Sequence, residues 1–579
     1  MAETPTPNPE LYGIVDMGSN GIRFSITDLS PPTARIMPII YQDRAGISLY
    51  DAQFSGEERG PIPPAIIEQV VDRLVHFRAT CNDFCVPDAN TYVLATEATR
   101  TAPNSEAFRA RIRAATGWDV RLLSKEDEGR IGALGIASSA ASVAGIAMDL
   151  GGGSTQITWV LEEDGVVTTS PKGSFSFPYG AAALSRLLAE AQGRNGGVQA
   201  LKEEMVGQFR EAYNQLGVPE SLSHRGSSSS SSSTGFNLYL CGGGFRGWGY
   251  VLMKAAALKS EEPYPIPIIN GFRVRRADFD DTVSVLDLVG NPDADGNADA
   301  SRIYGVSKRR ASQIPAVAVL VDVIMAALPD ISHIQFCQGG VREGFLYDRL
   351  PTEVRALDPL LAATRPYAPP SAQVIASLLQ AALPATPSPI AAFCAPPSFS
   401  RNLLAALANL LYVHAKVPRE SRAAAALHST STGILAATNC LSHVERALIA
   451  LVLCERWEGD LAPTDEVFYR QLRRCVSKDE AWWCRYLGGV AAIIGDVYPA
   501  GREPEAQWRV RFETEWSSVE KKKGDRDVLR LKVRRGDAAT SVLQEILKGR
   551  AEDLEKVGKK KNWVHDHGVK VKVDMLSSV

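Results

Sequence analysis

The sequence predicts an α/β protein with two similar halves that flank a cleft, followed by an all-helical domain and a small α+β domain. A glycine-rich hairpin pattern occurs twice, as YGIVDMGSNGIRFSI at 12–26 and as AGIAMDLGGGSTQITWV at 144–160. Residues 398–500 are rich in alanine and leucine with helical periodicity, and residues 505–579 read as strand, strand, helix and strand. These three observations indicate the fold class.

The chain of 579 residues is too long for a single hydrophobic core. Proline clusters between Pro366 and Pro397 indicate a boundary. The run RGSSSSSSSTG cannot bury a core, so we expect a disordered insert there. The predicted domains are a first half over 1–140, a second half over 141–350 with the serine-rich insert at 225–235, a proline-rich linker over 351–397, a helical domain over 398–500 and a small ββαβ domain over 505–579.

Composition excludes several classes of protein. A formal net charge of −3 gives no overall attraction to nucleic acid or to a membrane surface, so any phosphate binding must be local. The N-terminus MAETPTPNPE lacks the pattern of a signal peptide, and we find no run of about 18 apolar residues. Nine cysteines without paired metal-ligand spacing are expected to be free thiols. We therefore expect a cytoplasmic protein without a membrane segment.

Two segments have clear helical signals, one between the two hairpins and one between the second hairpin and the linker. Ser124 and Asp127 form a capping pattern, so a helix should begin at Lys125. Helical spacing then places Glu128 on the same face as Gly132 and Gly135, where small residues permit close backbone approach. Further along, residues 305–328 read as a pair of helices.

The two glycine-rich turns are candidate phosphate sites, because backbone N–H groups without a nearby Cβ can point into one concavity. Asp16 and Asp149 precede these turns at strand ends and suit Mg²⁺, directly or through water. A single turn of this kind would be weak evidence, and the duplication strengthens it. The predicted phosphate-binding residues of the turns are Gly18, Ser19, Asn20, Gly151, Gly152, Gly153, Ser154 and Thr155.

Six blocks in order resemble the exopolyphosphatase and guanosine pentaphosphate phosphohydrolase family: VDMGSNGIRF, ATEATRTAPN, LLSKEDEGRIGALGI, DLGGGSTQ, YLCGGGFRGWG and FCQGGVREGFLYD. They cover about residues 11–350. Within the family the chain is most similar to the fungal retrograde-regulation proteins, which carry mitochondrial signals to nuclear transcription. The resemblance implies two actin-like or Hsp70-type ATPase halves around the cleft.

The resemblance also assigns roles to individual residues. Glu128 matches the catalytic glutamate that directs the attacking water, Arg100 matches an arginine near the substrate phosphates, and Gly243 lies in a turn of the cleft. Gln156 stands where bacterial members have a glutamate of the acidic site. Its amide binds water but carries no charge, so metal affinity should fall. The alternatives are that Glu128 is an ordinary exposed helix residue and that the identity of Gln156 hardly matters.

The helical domain resembles a remnant of the HD phosphohydrolase domain that family members often carry. His428 is followed by Ser429 instead of an acidic residue, so the usual metal ligands are missing. We therefore interpret His428 and His443 as helix-packing residues and the domain as structural.

Two functions remain open at this point. The first is a regulator of retrograde signalling that binds ATP or polyphosphate with Mg²⁺, acts through signalling proteins and hydrolyses weakly or not at all. The second is an active phosphohydrolase of polyphosphate or guanosine pentaphosphate that uses Glu128. Nucleic-acid binding by residues 505–579 is not favoured, because acidic residues interrupt the basic ones. A homodimer is left open.

Overall fold

The computed structural model describes residues 7–54, 59–224, 235–290, 303–504, 508–520, 526–536, 541–562 and 569–576. The chain divides into two compact units. Unit 1 comprises Met1–Tyr264, Ile268–Pro359 and Asn439–Leu441, and unit 2 comprises Pro265–Pro267, Leu360–Thr438 and Ser442–Val579. The predicted serine-rich insert lies outside the described residues except for Gly235.

The first half of unit 1 is built on a five-stranded sheet with the order β3-β2-β1-β4-β5. Strand β1 pairs antiparallel with β2 and parallel with β4, and it lies at the centre of the sheet. The strands are β1 (Leu11–Gly18), β2 (Gly21–Asp28), β3 (Ile39–Ala45), β4 (Thr91–Ala95) and β5 (Val120–Leu122). The helices are α1 (Leu49–Gln53), α2 (Pro64–Asp83), α3 (Glu97–Arg100), α4 (Ser105–Thr116) and α5 (Lys125–Ser138), with 3₁₀ turns at Ala34–Ile36 and Asp88–Asn90.

The second half repeats the central arrangement of the first. Strand β6 pairs antiparallel with β7 and parallel with β10 in a sheet of order β11-β12-β10-β6-β7-β8, and β9 pairs with β7. The strands are β6 (Ala144–Leu150), β7 (Thr155–Glu163), β8 (Val166–Thr169), β9 (Phe175–Phe177), β10 (Phe236–Cys241), β11 (Arg273–Arg275) and β12 (Ile331–Phe336). Both glycine-rich segments therefore form the hairpins that the sequence predicts.

The helices of the second half cover its sheet. They are α6 (Ala181–Gln192), α7 (Gly197–Leu216), α8 (Ser221–His224), α9 (Gly243–Ser260), α10 (Arg276–Phe279), α11 (Thr282–Gly290), α12 (Lys308–Ala327), α13 (Val341–Tyr347) and α14 (Thr352–Arg355). Helix α12 corrects the prediction of a helix pair over 305–328. It continues through Pro315 as one helix, because burial of its apolar residues outweighs the cost of about 3 kcal/mol for an internal proline.

Helix α12 is also the one described helix that is long and apolar enough to cross a membrane by length and composition alone. In the structure, 56% of its most apolar 18-residue window is buried inside the protein. Core helices of globular proteins commonly have this character.

Helices α5 and α13 pack with their backbones in direct contact. A Cβ on Gly135 would overlap the carbonyl oxygen of Gly340, and one on Gly344 would overlap that of Ile131. The start of α5 is also as predicted, since the hydroxyl of Ser124 accepts the N–H of Asp127 at 3.0 Å. The close approach expected from the glycine face is therefore present at Gly135.

Unit 2 contains a group of helices and a three-stranded sheet. Its helices are α15 (Pro359–Thr364, whose first residue falls in unit 1), α16 (Ala372–Ala381), α17 (Arg401–Leu410), α18 (Arg422–Leu427), α19 (His443–Arg456), α20 (Pro463–Arg473), α21 (Lys478–Val497) and α22 (Ser541–Glu555). Its strands are β13 (Val510–Val519), β14 (Arg526–Arg535) and β15 (Lys570–Leu576), in that order, with β14 and β15 parallel. Its 3₁₀ turns are Arg365–Tyr367, Val413–Lys416, Arg419–Ser421, Lys556–Gly558 and Lys560–Asn562.

The structure differs from the sequence prediction over 351–397. This segment, predicted as a linker, contains α14, α15 and α16. Helix α16 buries Ile375, Leu378 and Leu379, whose spacing places them on one face. The prolines lie between helices, where they end one element and begin the next, so a cluster of prolines does not by itself identify a linker.

We predict that two identical substitutions in α5 change stability in opposite directions. Gly135→Ala should lower the free energy of unfolding by about 1–3 kcal/mol, because the new methyl group forces the backbone at Gly340 to move. Gly132→Ala meets no atom within 4 Å and should raise it by up to about 1 kcal/mol through helix propensity. Chemical denaturation of both variants checks this, and equal changes would contradict the proposed packing.

Candidate functional site

The two glycine-rich turns meet each other in unit 1. Ser19 and Asn20 form the first turn, between β1 and β2, and residues 151–154 form the second, between β6 and β7. The side chain of Asn20 lies so close to Gly152 that any Cβ there would overlap it. The absence of a side chain at Gly152 therefore allows the two halves to bring their turns together.

A third glycine shapes the end of β10. Gly242 has a φ of +91°, which side-chain-bearing residues rarely adopt, and a Cβ there would overlap Oδ1 of Asp149. Helix α9 begins directly afterwards, so its first turn faces the cleft beside Asp149.

The cleft between the turns has a cavity volume of about 140 Å³. Eleven of the predicted site residues line it: Asp16, Gly18, Ser19, Asn20, Glu128, Asp149, Gly151, Gly152, Ser154, Gln156 and Gly243. These residues come from both halves and from four separate stretches of the chain.

Three predicted site residues have different surroundings from those expected. The hydroxyl of Thr155 is buried and donates to the carbonyl of Tyr179 at 2.8 Å, so it cannot donate to a ligand. Gly153 packs against Tyr50 and Glu97, away from the lining of the cleft. These differences arise because successive strand and turn residues point in opposite directions.

Arg100 is the third. Its Nη1 donates to the carbonyl of Leu123 and lies 3.4 Å from Oε2 of Glu128. Arg100 therefore pairs with Glu128 and lies outside the residues that line the cleft. Its contact with substrate phosphates, which the family resemblance implies, stays a prediction.

Glu128 lies at the cleft wall, with its side chain 14% exposed. Its Oε1 accepts a long hydrogen bond of 3.5 Å from Nε2 of Gln156. Burial raises the pKa of Glu128 to about 7, Arg100 opposes this shift, and Asp149 and Asp16 add to it by like-charge repulsion. A carboxyl group with this pKa can accept or hold a proton near neutral pH.

Asp16 and Asp149 occupy corresponding positions in the two hairpins. Asp16 is paired across its hairpin with Arg23, and Asp149 is paired across its own with Gln156. Burial raises the pKa of both aspartates, and the positive charge of Arg23 opposes this shift in both. A hydrogen bond from the thiol of Cys241 also opposes the upward shift in the pKa of Asp149.

The carboxylates of Asp16 and Asp149 fit Mg²⁺, although protein side chains alone would not surround such an ion. Within the ranges that the structure describes, no three His, Cys, Asp or Glu side chains are grouped to hold a metal ion. Mg²⁺ commonly binds one or two carboxylates together with water and ligand phosphates. Asp16 and Asp149 supply two carboxylates whose mutual repulsion a divalent cation would relieve.

Five arginines that the sequence analysis missed also line the cleft. They are Arg23, Arg44, Arg246, Arg309 and Arg310, against three carboxyl groups in the same lining. Arg23 lies 3.8 Å from Asp16, and Arg310 donates to the carbonyl of Gly305 at 2.8 Å. The guanidinium group of Arg246 forms no hydrogen bond and no ion pair with the described part of the chain.

These arginines lie close enough to disfavour one another's charge. The pKa of Arg310 is lowered to about 10, mainly by burial and in part by the charges of Arg246, Arg44 and Arg23. Burial is also the main cause of the lowered pKa of Arg246 and Arg44, with Arg23 adding to both shifts. A polyanion in the cleft would remove this repulsion, because phosphate oxygens accept hydrogen bonds from guanidinium groups.

The sequence contains a partial signal for this cluster. Arg309 and Arg310 begin the helix in SKRRAS, Arg246 follows the glycines of CGGGFRG, and Arg23 alternates with apolar Ile22 and Phe24. The alternation indicates a side chain on the polar face of β2. Nothing in the sequence indicates that these three segments meet.

His428 lies in unit 2, where Nε2 is 2.9 Å from Oδ1 of Asp465 and the ring stacks on Phe468 at 4.4 Å. Its acidic neighbour therefore comes from α20 and not from the adjacent position in sequence. These contacts agree with the interpretation of His428 as a helix-packing residue.

Two protein-family models together match nearly the whole chain. The Ppx/GppA phosphatase family matches residues 26–353, and the RTG2 C-terminal domain matches residues 358–578. Because the first match spans more than half of the chain, the protein belongs to the Ppx/GppA phosphatase family. The family resemblance inferred from the six sequence blocks is thus confirmed.

Individual relatives refine this assignment. The chain is 39% identical over 510 residues to Retrograde regulation protein 2 of Saccharomyces cerevisiae, covering 86% of this chain and 83% of the yeast protein. It is 25% identical over 350 residues to Exopolyphosphatase 1 of Mycobacterium tuberculosis, covering 59% of this chain and 88% of that protein. The predicted similarity to fungal retrograde-regulation proteins is confirmed by the first comparison.

Solved structures of family members are similar to part of the chain. The Ppx/GppA family member of Aquifex aeolicus is 20% identical with a TM-score of 0.43, covering 58% of this chain and 96% of that one. An exopolyphosphatase from Cytophaga hutchinsonii is 17% identical with a TM-score of 0.43, covering 59% and 99%.

We predict that Glu128 makes the protein less stable as pH rises. The pKa of Glu128 is about 7 in the folded state against an ordinary 4.5, so the folded state holds a proton that the unfolded state releases. The resulting loss of stability develops between these two values and is complete above pH 7, with an upper limit of about 3 kcal/mol.

Glu128→Gln removes this titration. The free energy of unfolding of the variant, relative to the wild type, should therefore increase between pH 5 and pH 8 when both are measured by chemical denaturation in EDTA. The difference between a protonated Glu128 and a glutamine at this position adds a constant offset. A relative stability that does not change with pH would contradict the raised pKa.

Proposed function

We propose that this protein is a regulator of mitochondria-to-nucleus retrograde signalling that binds a phosphate ligand, ATP or polyphosphate, in the cleft of unit 1. Mg²⁺ is held by Asp16 and Asp149 together with the ligand, and supplies positive charge beside its phosphates. Hydrolysis is weak or absent, and the signal passes through protein partners in the cytoplasm to transcription.

The arginine cluster carries this proposal. Five guanidinium groups face three carboxyl groups in one cleft, and burial together with the neighbouring arginines lowers the pKa of Arg44, Arg246 and Arg310. Such an arrangement costs stability in the free protein and is useful when an anion binds. The turn residues Gly18, Ser19 and Asn20, with Gly151 and Gly152, add backbone and side-chain donors on the same surface.

Gln156 supports weak hydrolysis. Its Nε2 donates to Oγ of Ser154 at 2.8 Å and approaches Oε1 of Glu128 at 3.5 Å. The amide therefore completes a neutral hydrogen-bond network at the position where family enzymes have a carboxylate. It offers the metal site no negative charge and can accept no proton from water.

The regulatory role is supported by the yeast relative and by unit 2. The relative is named for retrograde regulation, and the alignment with it covers 86% of this chain. The match to the RTG2 C-terminal domain covers most of unit 2. We propose that unit 2 contacts signalling proteins and does not bind nucleic acid, with a homodimer as an open alternative.

An active exopolyphosphatase or guanosine pentaphosphate phosphohydrolase is the alternative function. The observation that favours it is Glu128, a cleft carboxyl group with a pKa of about 7. In its ionised form Glu128 would take the proton of a water that attacks the terminal phosphorus, while Arg100 fixes the carboxyl group in position.

We predict that Arg246→Ala weakens binding of tripolyphosphate or ATP by about tenfold or more, since a charged hydrogen bond to phosphate contributes about 1.5–3 kcal/mol. Calorimetric titration with and without Mg²⁺ measures this. The variant should be no less stable than the wild type, because Arg246 is half-buried and its guanidinium group has no hydrogen bond or ion pair among the described residues.

The matched control is Arg111→Ala, which removes an exposed arginine that pairs with Glu68 on α2. This variant should bind the ligands with wild-type affinity. Equal affinity of the Arg246 variant and the control would contradict a binding role for the arginine cluster.

We predict that Gln156→Glu increases magnesium-dependent phosphate release from polyphosphate, because the new carboxylate adds a charge beside Asp149 and Glu128. Adding Glu128→Ala should abolish the increase. A phosphate-release assay with purified protein checks both. Release by the wild type at rates typical of enzymes, lost in Glu128→Ala, would instead establish the alternative function.

A further inference from the structure

Arg309, in the first turn of α12, reaches across the cleft to the first half of unit 1. Its Nη2 lies 2.6 Å from Oδ1 of Asn20, 2.9 Å from Oγ of Ser48 and 2.8 Å from Oδ2 of Asp51. All three acceptors belong to the first half, whereas α12 packs in the core of the second half. A single guanidinium group thus connects the two sides of the cleft.

The acceptors are themselves ordered by the first glycine-rich turn. The hydroxyl of Ser48 donates to the carbonyl of Ser19 at 3.2 Å and accepts the N–H of Asp51 at 3.1 Å. The N–H of Tyr50 also donates to the carbonyl of Ser19, at 3.0 Å. Asp51 is therefore placed beside the turn by backbone contacts and does not depend on Arg309 for its position.

Arg309 and Asp51 differ in how they relate to the cleft. Arg309 lines the cleft with a side chain that is 34% exposed, whereas Asp51 is 58% exposed and lies outside the lining. A ligand in the cleft can reach the guanidinium group without touching Asp51. The carboxylate of Asp51 and a ligand phosphate present similar oxygen pairs to an arginine, so they compete for the same donors.

We propose that Asp51 sets the affinity of the cleft for polyphosphate-type anions by occupying Arg309 in the free protein, and that ligand binding exchanges this carboxylate for a ligand phosphate. The proposal rests on phosphate binding in the cleft as set out above. Asp51 is then a specificity-determining residue. An anion must interact with Arg309 more strongly than Asp51 does, which favours ligands with several phosphates over singly charged anions.

The exposure of Asp51 makes the exchange easy. An ion pair in contact with solvent is weak, so it can be broken by a ligand that brings more charge. The same pair also ties α1 to α12, so its loss would free the two sides of the cleft to adjust around the ligand.

The test is calorimetric titration of full-length protein with tripolyphosphate. Asp51→Asn keeps the shape of the side chain and removes its charge, and it should raise the affinity about threefold to tenfold. Asp72→Asn, which removes the same charge from an exposed position on α2, is the control for long-range electrostatics and should leave the affinity within twofold.

A double-mutant cycle identifies the route of the effect. In an Arg309→Ala background, Asp51→Asn should no longer raise the affinity, because the competing pair is already absent. A purely structural role of Asp51 would lower the melting temperature of the single variant and would not tighten binding.

The outcomes separate this proposal from the proposed function. If the wild type binds tripolyphosphate and Asp51→Asn binds it equally or more weakly, the role of Asp51 is overturned and phosphate binding stands. A gain that persists in the Arg309→Ala background also overturns it. If neither the wild type nor the variant binds any of the phosphate ligands, both proposals are overturned.

Discussion

The main constraint on the cleft of unit 1 is that its lining holds groups of like charge close together, namely three carboxyl groups and five arginines. Asp16, Glu128 and Asp149 each have a raised pKa, with burial as the largest cause. Burial also lowers the pKa of Arg44 and Arg310 in the same lining, and the neighbouring arginines add to both shifts. Under the function we propose, a ligand with phosphate oxygens and a bound cation would offset the repulsion within both groups.

Glycine contacts make this arrangement sterically possible. Gly152 admits the side chain of Asn20, Gly242 admits that of Asp149, and Gly135 allows α5 to lie directly on the turn at Gly340. The last contact fixes the axis of the helix that carries Glu128. Close backbone packing and the electrostatics of the cleft are therefore linked, since a shift of α5 would move the carboxyl group away from Arg100 and Gln156.

The two hairpins use the same geometry for different chemistry. Across from the aspartate, the first hairpin has Arg23 and the second has Gln156. The first position supplies positive charge, and the second supplies a neutral amide. Under the function we propose, the positive charge helps to hold a phosphate ligand, and the amide at 156 adds no negative charge and accepts no proton.

The sequence by itself determined the features that depend on local physics. The capping serine places the start of α5 at Lys125, alternation and glycine spacing give both hairpins, and the ordered blocks identify the family. The sequence predicted helical structure over 398–500 and a ββαβ unit over 505–579, and the described residues of these ranges contain α17 to α21 and then β13, β14, α22 and β15.

Only the tertiary structure decided which side chains meet. The arginines come from β2, β3, α9 and α12, and no local rule indicates that these elements converge. Arg100 binds Glu128, Thr155 binds Tyr179, and α12 runs through its proline, because packing partners distant in sequence outweigh the local preference of each residue. Which side chains line the cleft is decided by these long-range contacts, whereas the position of the cleft rests on the local pattern of the chain.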